Sequence, residues 1–421
     1  MSQSHLRLLF ALGVSGSLAA GSVHAADWSN WRGPTRNGVS PERGLSTKWP
    51  ATGPARLWSA NIGRSYAAVA VRKSRLYALG AREGQETLQC LDAKNGTLLW
   101  KHTQAHPKRT EQYDPYPTAS TGSPVLAGDR VYLFTREGQA LCLDAEKGEV
   151  LWSRDLAKEV GGALPPFGSG SSPLVIEARV FYNLGKHGIA LDGTTGAVIW
   201  NSGDGVGGHA TPVYCRLGDQ EVLLFFAGEG LMAAELTTGR LLWRHSWTSR
   251  GNLHTLDPLV SGDEVLLSGY SHSQLLRLTP QGAKLVYDVR RLRGNFSNPL
   301  LLSGHLYGND RGGLQCVDWK SGAERWRQPD LLTRPRQAAA PEETRSPVSE
   351  GALIAAGNHL IVLDDSGALH LAPASADRFR ETASAKVLNG PCWTLPVLAN
   401  GLLYCHNTAG ELVCLDLRLG K

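Results

Sequence analysis

Two histidines, His209 and His254, stand in the stretches GDGVGGHA (203–210) and SRGNLHTLD (249–257). Imidazoles can move a proton near neutral pH or ligate a transition metal. Four more residues hold matching places: Ser120 in YDPYPTASTG (113–122), Ser169 in GALPPFGSGS (162–171), Asn295 in RRLRGNFSN (290–298) and Trp393 in VLNGPCWTL (387–395). Each of the six lies three or four residues before a Pro. Residues at equal offsets in a repeating structure form one surface, so these six are the candidate ligand-binding ring. Arg250, Arg291 and Arg293 lie in the same stretches and can clamp carboxylates bidentately. Asp114 and Asp257 carry the hard oxygens that Ca²⁺ takes. Trp393 can stack on a planar ligand or a sugar. Each residue also has a purely structural use: a satisfied loop His, a capping Asp, a solvated Arg, a Trp packed on its neighbour.

The patterns needed for catalysis are missing. Two His on adjacent repeats make no metal set without carboxylates or Cys. GSGSSP (168–173) is not the strand–turn–helix elbow of a hydrolase nucleophile. There is no HExxH and no phosphate-binding Gly loop before a helix. The sequence therefore assigns no catalytic, cofactor or metal residue, and the ring reads as a binding surface.

The elements that position this ring announce themselves as a repeat, apolar-Asp-x-x-x-Gly-x-x-x-Trp. Copies are LDAKNGTLLW (91–100), LDAEKGEVLW (143–152), LDGTTGAVIW (191–200), AELTTGRLLW (234–243) and VDWKSGAERW (317–326). LTPQGAKLVY (278–287) has lost the Asp and the Trp, and LDLRLGK (415–421) stops before its Trp. The spacing leaves room for one more degenerate copy near LAPASADRF (371–379), which makes eight. Between copies, short runs of β-branched and aromatic residues alternate with Gly turns, as in SPVLA, VYLFT, ALCLDA and VLWSRD (123–154). Four antiparallel strands per unit, at a period of about 40–50 residues, predict a β-propeller. Pro124, Pro173, Pro212, Pro258, Pro299 and Pro396 mark the first strand of six units; the seventh has Leu353 there and the first an Ala. Pro lacks the N–H of a central strand, so this strand is the edge facing the channel. ARLWSANIG (55–63) supplies a strand with Trp58, the Trp missing at the end of the chain. The prediction is an all-β, eight-bladed propeller closed by the N-terminal strand, because an open ring would leave unpaired edges.

With its eight copies, the motif resembles the pyrroloquinoline-quinone (PQQ)-type repeat, and the resemblance covers essentially all of 27–421. DWSNWRGPTRNGVSPERGLSTKWP (27–50) and WTLPVLANGLLYCHNTAGELVCLDLR (393–418) resemble the two ends of secreted bacterial PQQ-like propellers. Two families are implied. The outer-membrane protein assembly factor B family is similar in length and compact blades, and implies a scaffold that binds proteins. Quinoprotein alcohol dehydrogenases share the blade motif and imply PQQ, Ca²⁺ and oxidation of alcohols or sugars. This chain lacks their adjacent Cys-Cys pair and their long inserts. The reading is a non-catalytic binding propeller taking a protein or small ligand at the channel mouth, with a PQQ-dependent dehydrogenase as the alternative.

The remaining features set the compartment. Arg7, the apolar run LLFALGVSGSLAA (8–20) and Val23-His24-Ala25 form an export signal with cleavage after Ala25. The domains are then a signal at 1–25, an extended segment at 26–54 and the propeller at 55–421, in the periplasm or secreted. No Cys near the cleavage point can accept a lipid, and no segment is long enough to span a bilayer. The net charge of +5 is scattered, which argues against nucleic acid. A monomer is expected. RQPDLLTRPRQAAAPEETRSP (327–347) reads as a polar insertion between blades 6 and 7. Cys90, Cys142, Cys316 and Cys414 share one repeat position and read as buried fillers, while Cys405 and Cys414 flank the NTAG turn and could bond across a hairpin.

Overall fold

The computed structural model describes residues 26–105, 119–248, 253–333 and 350–419. The segment read as an export signal, Asp114, Arg250 and most of the 327–347 insertion lie outside the described residues. The chain forms eight antiparallel sheets around a channel. Blade 1 spans 70–105, blade 2 125–155, blade 3 174–201, blade 4 213–246, blade 5 259–289, blade 6 300–328 and blade 7 352–386. Blade 8 is made from three strands at 397–416 and the strand Ala55–Asn61. The only α-helix among the described residues is the single turn Leu156–Glu159. The first strands of blades 8, 1, 2 and 3 touch in succession, as do those of blades 6 and 7, which marks the first strands as the inner ones. Pro124, Pro173, Pro212, Pro258, Pro299 and Pro396 each come directly before an inner strand, as the missing N–H requires. In blade 1 the corresponding residue is Val69, not the Ala expected from sequence, because the strand starts at Ala70.

The repeat motif works between blades. Asp92 caps its own turn, accepting from Lys94 N and Asn95 N; Asp144 and Asp192 do the same in the next two blades. Gly96, Gly148, Gly196 and Gly239 take positive φ of 71–76°. They also lie against an indole. A Cβ on Gly148 would sit 2.4 Å from Trp100 of the preceding blade, and one on Gly196 2.8 Å from Trp152. The indole N–H then donates to the carbonyl that follows the motif Asp. Trp100 reaches Ala145 O at 3.2 Å, Trp152 reaches Gly193 O at 2.9 Å and Trp200 reaches Leu236 O at 3.2 Å. A β-bulge just before the Trp in each of these strands aims the ring at the next blade.

Ring closure uses the same contact. Trp58 is opposite Cys414 in blade 8, packs over Gly96 of blade 1 and donates to Ala93 O at 3.1 Å. The degenerate copy in blade 5 keeps only part of this contact. Tyr287 takes the Trp place in blade 5 and lies 3.1 Å from where a Gly322 Cβ would be. The shortened turn of blade 5 provides no carbonyl for Trp243, whose buried indole N–H has no partner. Blades 5 and 6 have a substitute lock in Glu264, which accepts from Trp319, Lys320 and Arg277, all at 2.8 Å. Burial alone would raise its pKa, but these three donors pull it down to about 2.

The cysteine expectation fails at Cys405. In the blade 8 hairpin Tyr404 pairs with Cys414 and Cys405 with Val413. Adjacent strand positions point to opposite faces, so the two sulfurs are turned apart, and all seven cysteines are free and buried.

The docking hydrogen bond can be isolated by comparing two equal truncations. Trp152→Phe is expected to cost about 1 kcal/mol more than Trp243→Phe, since only the first loses a bond. Urea unfolding of both variants measures this, and equal costs would remove the indole N–H from the account.

Candidate functional site

The inner strands all begin at one end of the channel, and the six candidate residues lie on the connections leading into them. The structure places them side by side around this mouth. Ser65 bridges Ser120 and Tyr66 N donates to Ser120 O at 2.8 Å. Thr121 Oγ1 donates to Ser169 O at 2.5 Å. His209 packs against Gly170, and Ala210 N donates to His254 O at 3.0 Å. Phe296, next to Asn295, stacks on Trp393 at 5.5 Å, and Trp393 stacks on Tyr66 at 5.6 Å, beside Ser120. Access differs along it. Ser120, Ser169, His254 and Trp393 are buried, while His209 and Asn295 are partly exposed. Burial first, and then neighbouring His254, hold the His209 pKa down at about 4, so this imidazole is neutral at neutral pH. His254 meets Phe226 edge-on, with centroids 4.4 Å apart.

Beneath the ring lies a belt of hydrogen bonds that the sequence reading missed. It is built by the residue immediately before each Pro. Ala68 N donates to Ser123 Oγ at 2.9 Å, Ser123 N to Ser172 Oγ at 3.0 Å, Ser172 N to Thr211 Oγ1 at 3.2 Å and Thr211 N to Asp257 Oδ1 at 2.7 Å. Asn298 Nδ2 then donates to Asp257 O at 3.1 Å. Five cross-links tie blades 1 to 6 at the channel wall. The signal was present as Ser-Pro, Ser-Pro, Thr-Pro, Asp-Pro and Asn-Pro.

The far end of the channel is occupied by the chain itself. Trp28 bridges Val71 of blade 1, and Ser29 O accepts from Leu126 N of blade 2. Arg36 donates to Val175 O of blade 3 at 2.9 Å, and Trp31 Nε1 to Asp257 Oδ2 beside blade 5 at 2.7 Å. Buried Arg32 donates to Pro299 O beside blade 6 at 2.9 Å. Val39–Ser40 pairs in parallel with the inner strand of blade 7, and Glu42 accepts from Gly401 N of blade 8 at 2.8 Å. Asp257 therefore joins belt and plug. Burial raises its pKa, against the pull of Arg32 and its own hydrogen bonds. A cavity of about 280 Å³ separates the plug from blades 3 to 5, but its polar groups, Asp257 and Arg36 among them, are already engaged by the protein.

The family described as outer membrane protein assembly factor BamB matches residues 84–328, more than half of the chain. The chain belongs to this family. BamB of Yersinia pestis is 22% identical over 384 residues, covering 85% of this chain and 88% of that protein. The tetrathionate hydrolase of Acidithiobacillus ferrooxidans is 24% identical over 234 residues, 52% of this chain but only 44% of the hydrolase. Among solved structures, BamB from Moraxella catarrhalis superposes with a TM-score of 0.60 at 18% identity, covering 87% of this chain and 98% of that one. A europium-containing methanol dehydrogenase superposes with a TM-score of 0.63 at 12% identity, covering 93% and 89%. At these identities the structures share the fold alone.

The mouth of this BamB-family propeller does not fit a quinone. Trp393 is stacked on two rings and is 8% exposed, so no indole face is left for a planar cofactor. Arg293 is held bidentately by Asp310 at 2.7 and 2.9 Å, and Arg291 lies 3.9 Å from Glu324. No group of three His, Cys, Asp or Glu among the described residues could hold a metal ion. Asp257, the described Ca²⁺ candidate, has both oxygens occupied by Trp31 and Thr211.

Glu350 is a buried carboxylate at the mouth that the sequence did not single out. It accepts from Asn295 N at 2.8 and 2.9 Å and from Phe296 N at 3.0 Å, and so fixes the loop that stacks on Trp393. Burial raises its pKa to about 7 in spite of these donors. Its folded pKa thus exceeds the unfolded value of about 4.3, and the native state holds a proton that the unfolded chain releases. Stability should fall as pH rises from about 4.5 to 7, and Glu350→Gln should remove that slope. Thermal unfolding across this window checks it. For Asp257, replacement by Ala strands Arg32, Trp31 Nε1 and Thr211 N, and should cost about 3–5 kcal/mol by urea unfolding.

Proposed function

We propose that the protein is an exported, non-catalytic scaffold propeller that takes a partner protein, or a small ligand, at the mouth where the inner strands begin. The observation that supports this most is the division between the two ends of the channel. One end is filled by residues 26–46, each stretch bonded to an inner strand or its flanking turn. The other end carries the long connections and the two partly exposed ring residues, His209 and Asn295. Arg293 is paired with Asp310 and Glu350 is held by backbone amides, which suits recognition by shape and backbone contacts more than catalysis on a charged substrate. Membership of a family named for an assembly factor agrees with this reading. No helix among the described residues is long and apolar enough to cross a membrane.

The PQQ-dependent dehydrogenase gains no support from Trp393, which is stacked on two rings, or from Arg293, which is paired with Asp310. Two measurements separate the readings. Purified protein mixed with PQQ and Ca²⁺ should show no quinone absorbance after gel filtration, no thermal shift and no alcohol- or sugar-dependent dye reduction. A photo-crosslinking side chain at Asn295, in cells, should capture a discrete partner, whereas one at Lys94, on the blade edge beside the plug, should not. Dye reduction, or equal capture at both positions, would overturn the proposal.

A further inference from the structure

The plug begins at Ala26, the residue that follows the small-x-small sequence Val23-His24-Ala25. The main-chain nitrogen of Ala26 donates to Glu42 Oε1 at 3.1 Å. Glu42 is fully buried, and its other donors are the backbone N–H groups of Asn400 and Gly401, in the turn after the inner strand of blade 8. The surroundings pin Ala26 in place. Its carbonyl accepts from Asn400 N at 3.3 Å, and Asp27 Oδ1 accepts from Lys73 N of blade 1 at 2.8 Å. No Lys, Arg or His among the described residues forms an ion pair with Glu42. A buried carboxylate with amide donors and no counter-charge is incomplete, since burying a charge is costly until it is paired. The one atom beside it that processing can charge is Ala26 N.

We propose that Glu42 is the receptor for the α-ammonium group of the mature chain, so that removal of the leader completes an ion pair which locks the plug between blades 8 and 1. The inference rests on the export reading above. A leader peptidase hydrolyses the Ala25–Ala26 amide with one water. Ala25 keeps the new carboxylate, and the freed amine of Ala26 takes up a proton at neutral pH. The contact from a neutral amide N–H to the carboxylate becomes an ammonium–carboxylate pair, with charge on both partners. Ala26 is partly exposed, so the ammonium keeps some water while it faces the carboxylate. Because the plug touches blades around the whole channel, this pair reports to the ring and not only to one turn.

The test compares four full-length chains: exported and uncleavable (Ala25→Arg), each with and without Glu42→Gln. Mass spectrometry of the exported protein should find Ala26 at the N-terminus; a retained leader or another start overturns both the export reading and the inference. With Ala26 confirmed, Glu42→Gln should lower Tm by about 2–4 °C more in the cleaved chain than in the uncleaved one. An equal drop overturns the inference alone and leaves Glu42 as a cap for the blade 8 turn. A second measurement needs no variant. Acetylation of the α-amine at neutral pH should be about tenfold slower in the folded wild-type protein than in the urea-unfolded chain, the effect of about one pKa unit; equal rates overturn it.

Discussion

A single contact is repeated around this molecule: the indole of one blade lying on the Gly turn of the next. The motif Asp binds its own turn amides, which leaves the following carbonyl facing outward as an acceptor. The Trp of the preceding blade fills it, and a Tyr often joins, as Tyr132 O–H does at Gly193 O and Tyr404 O–H at Ala93 O. Gly is required beneath the ring because a Cβ would overlap it and because φ is positive there. No blade can bury its own Trp. Each is therefore stable only beside a neighbour, and the array must close.

Closure places Trp58 on the outer strand of blade 8, and the stretch 26–46 before it lies across the inner strands as a plug. Its contacts are not incidental filling. Arg32 and Asp257 are buried groups that attract one another, Arg32 held by the carbonyls of Asn37 and Pro299 and Asp257 by Trp31 Nε1 and Thr211 N. The polar route fixes which blade each residue meets, and leaves the opposite mouth for partners.

At that mouth the belt of Ser123, Ser172, Thr211 and Asp257 side chains holds the inner strands in register, and the ring above rests on it. The aromatic line Tyr66–Trp393–Phe296 and the carboxylate of Glu350 stiffen the side nearest blades 6 to 8. A framework this general carries dehydrogenases and assembly factors alike, and function resides in what the mouth leaves free. Here Trp393 and Arg293, two of the groups that would hold a quinone, are used in structure.

The repeat, the blade count and the closing strand were legible in the sequence, because each is a local pattern read along the chain: a turn, a Trp four residues after a Gly, a final copy cut short. The ring of Ser120, Ser169, His209, His254, Asn295 and Trp393 was legible in position for the same reason, as a constant offset from a Pro. Their environments were not. A one-residue register step turned Cys405 away from Cys414, and whether Trp393 offered a face or buried it depended on rings from two other blades. The plug and the belt were decided only in three dimensions. Trp31 and Asp257 are 226 residues apart, and nothing in their local sequence pairs them. Periodicity along a chain specifies the unit and its count; contacts between distant segments exist only once the ring has closed and brought their blades together.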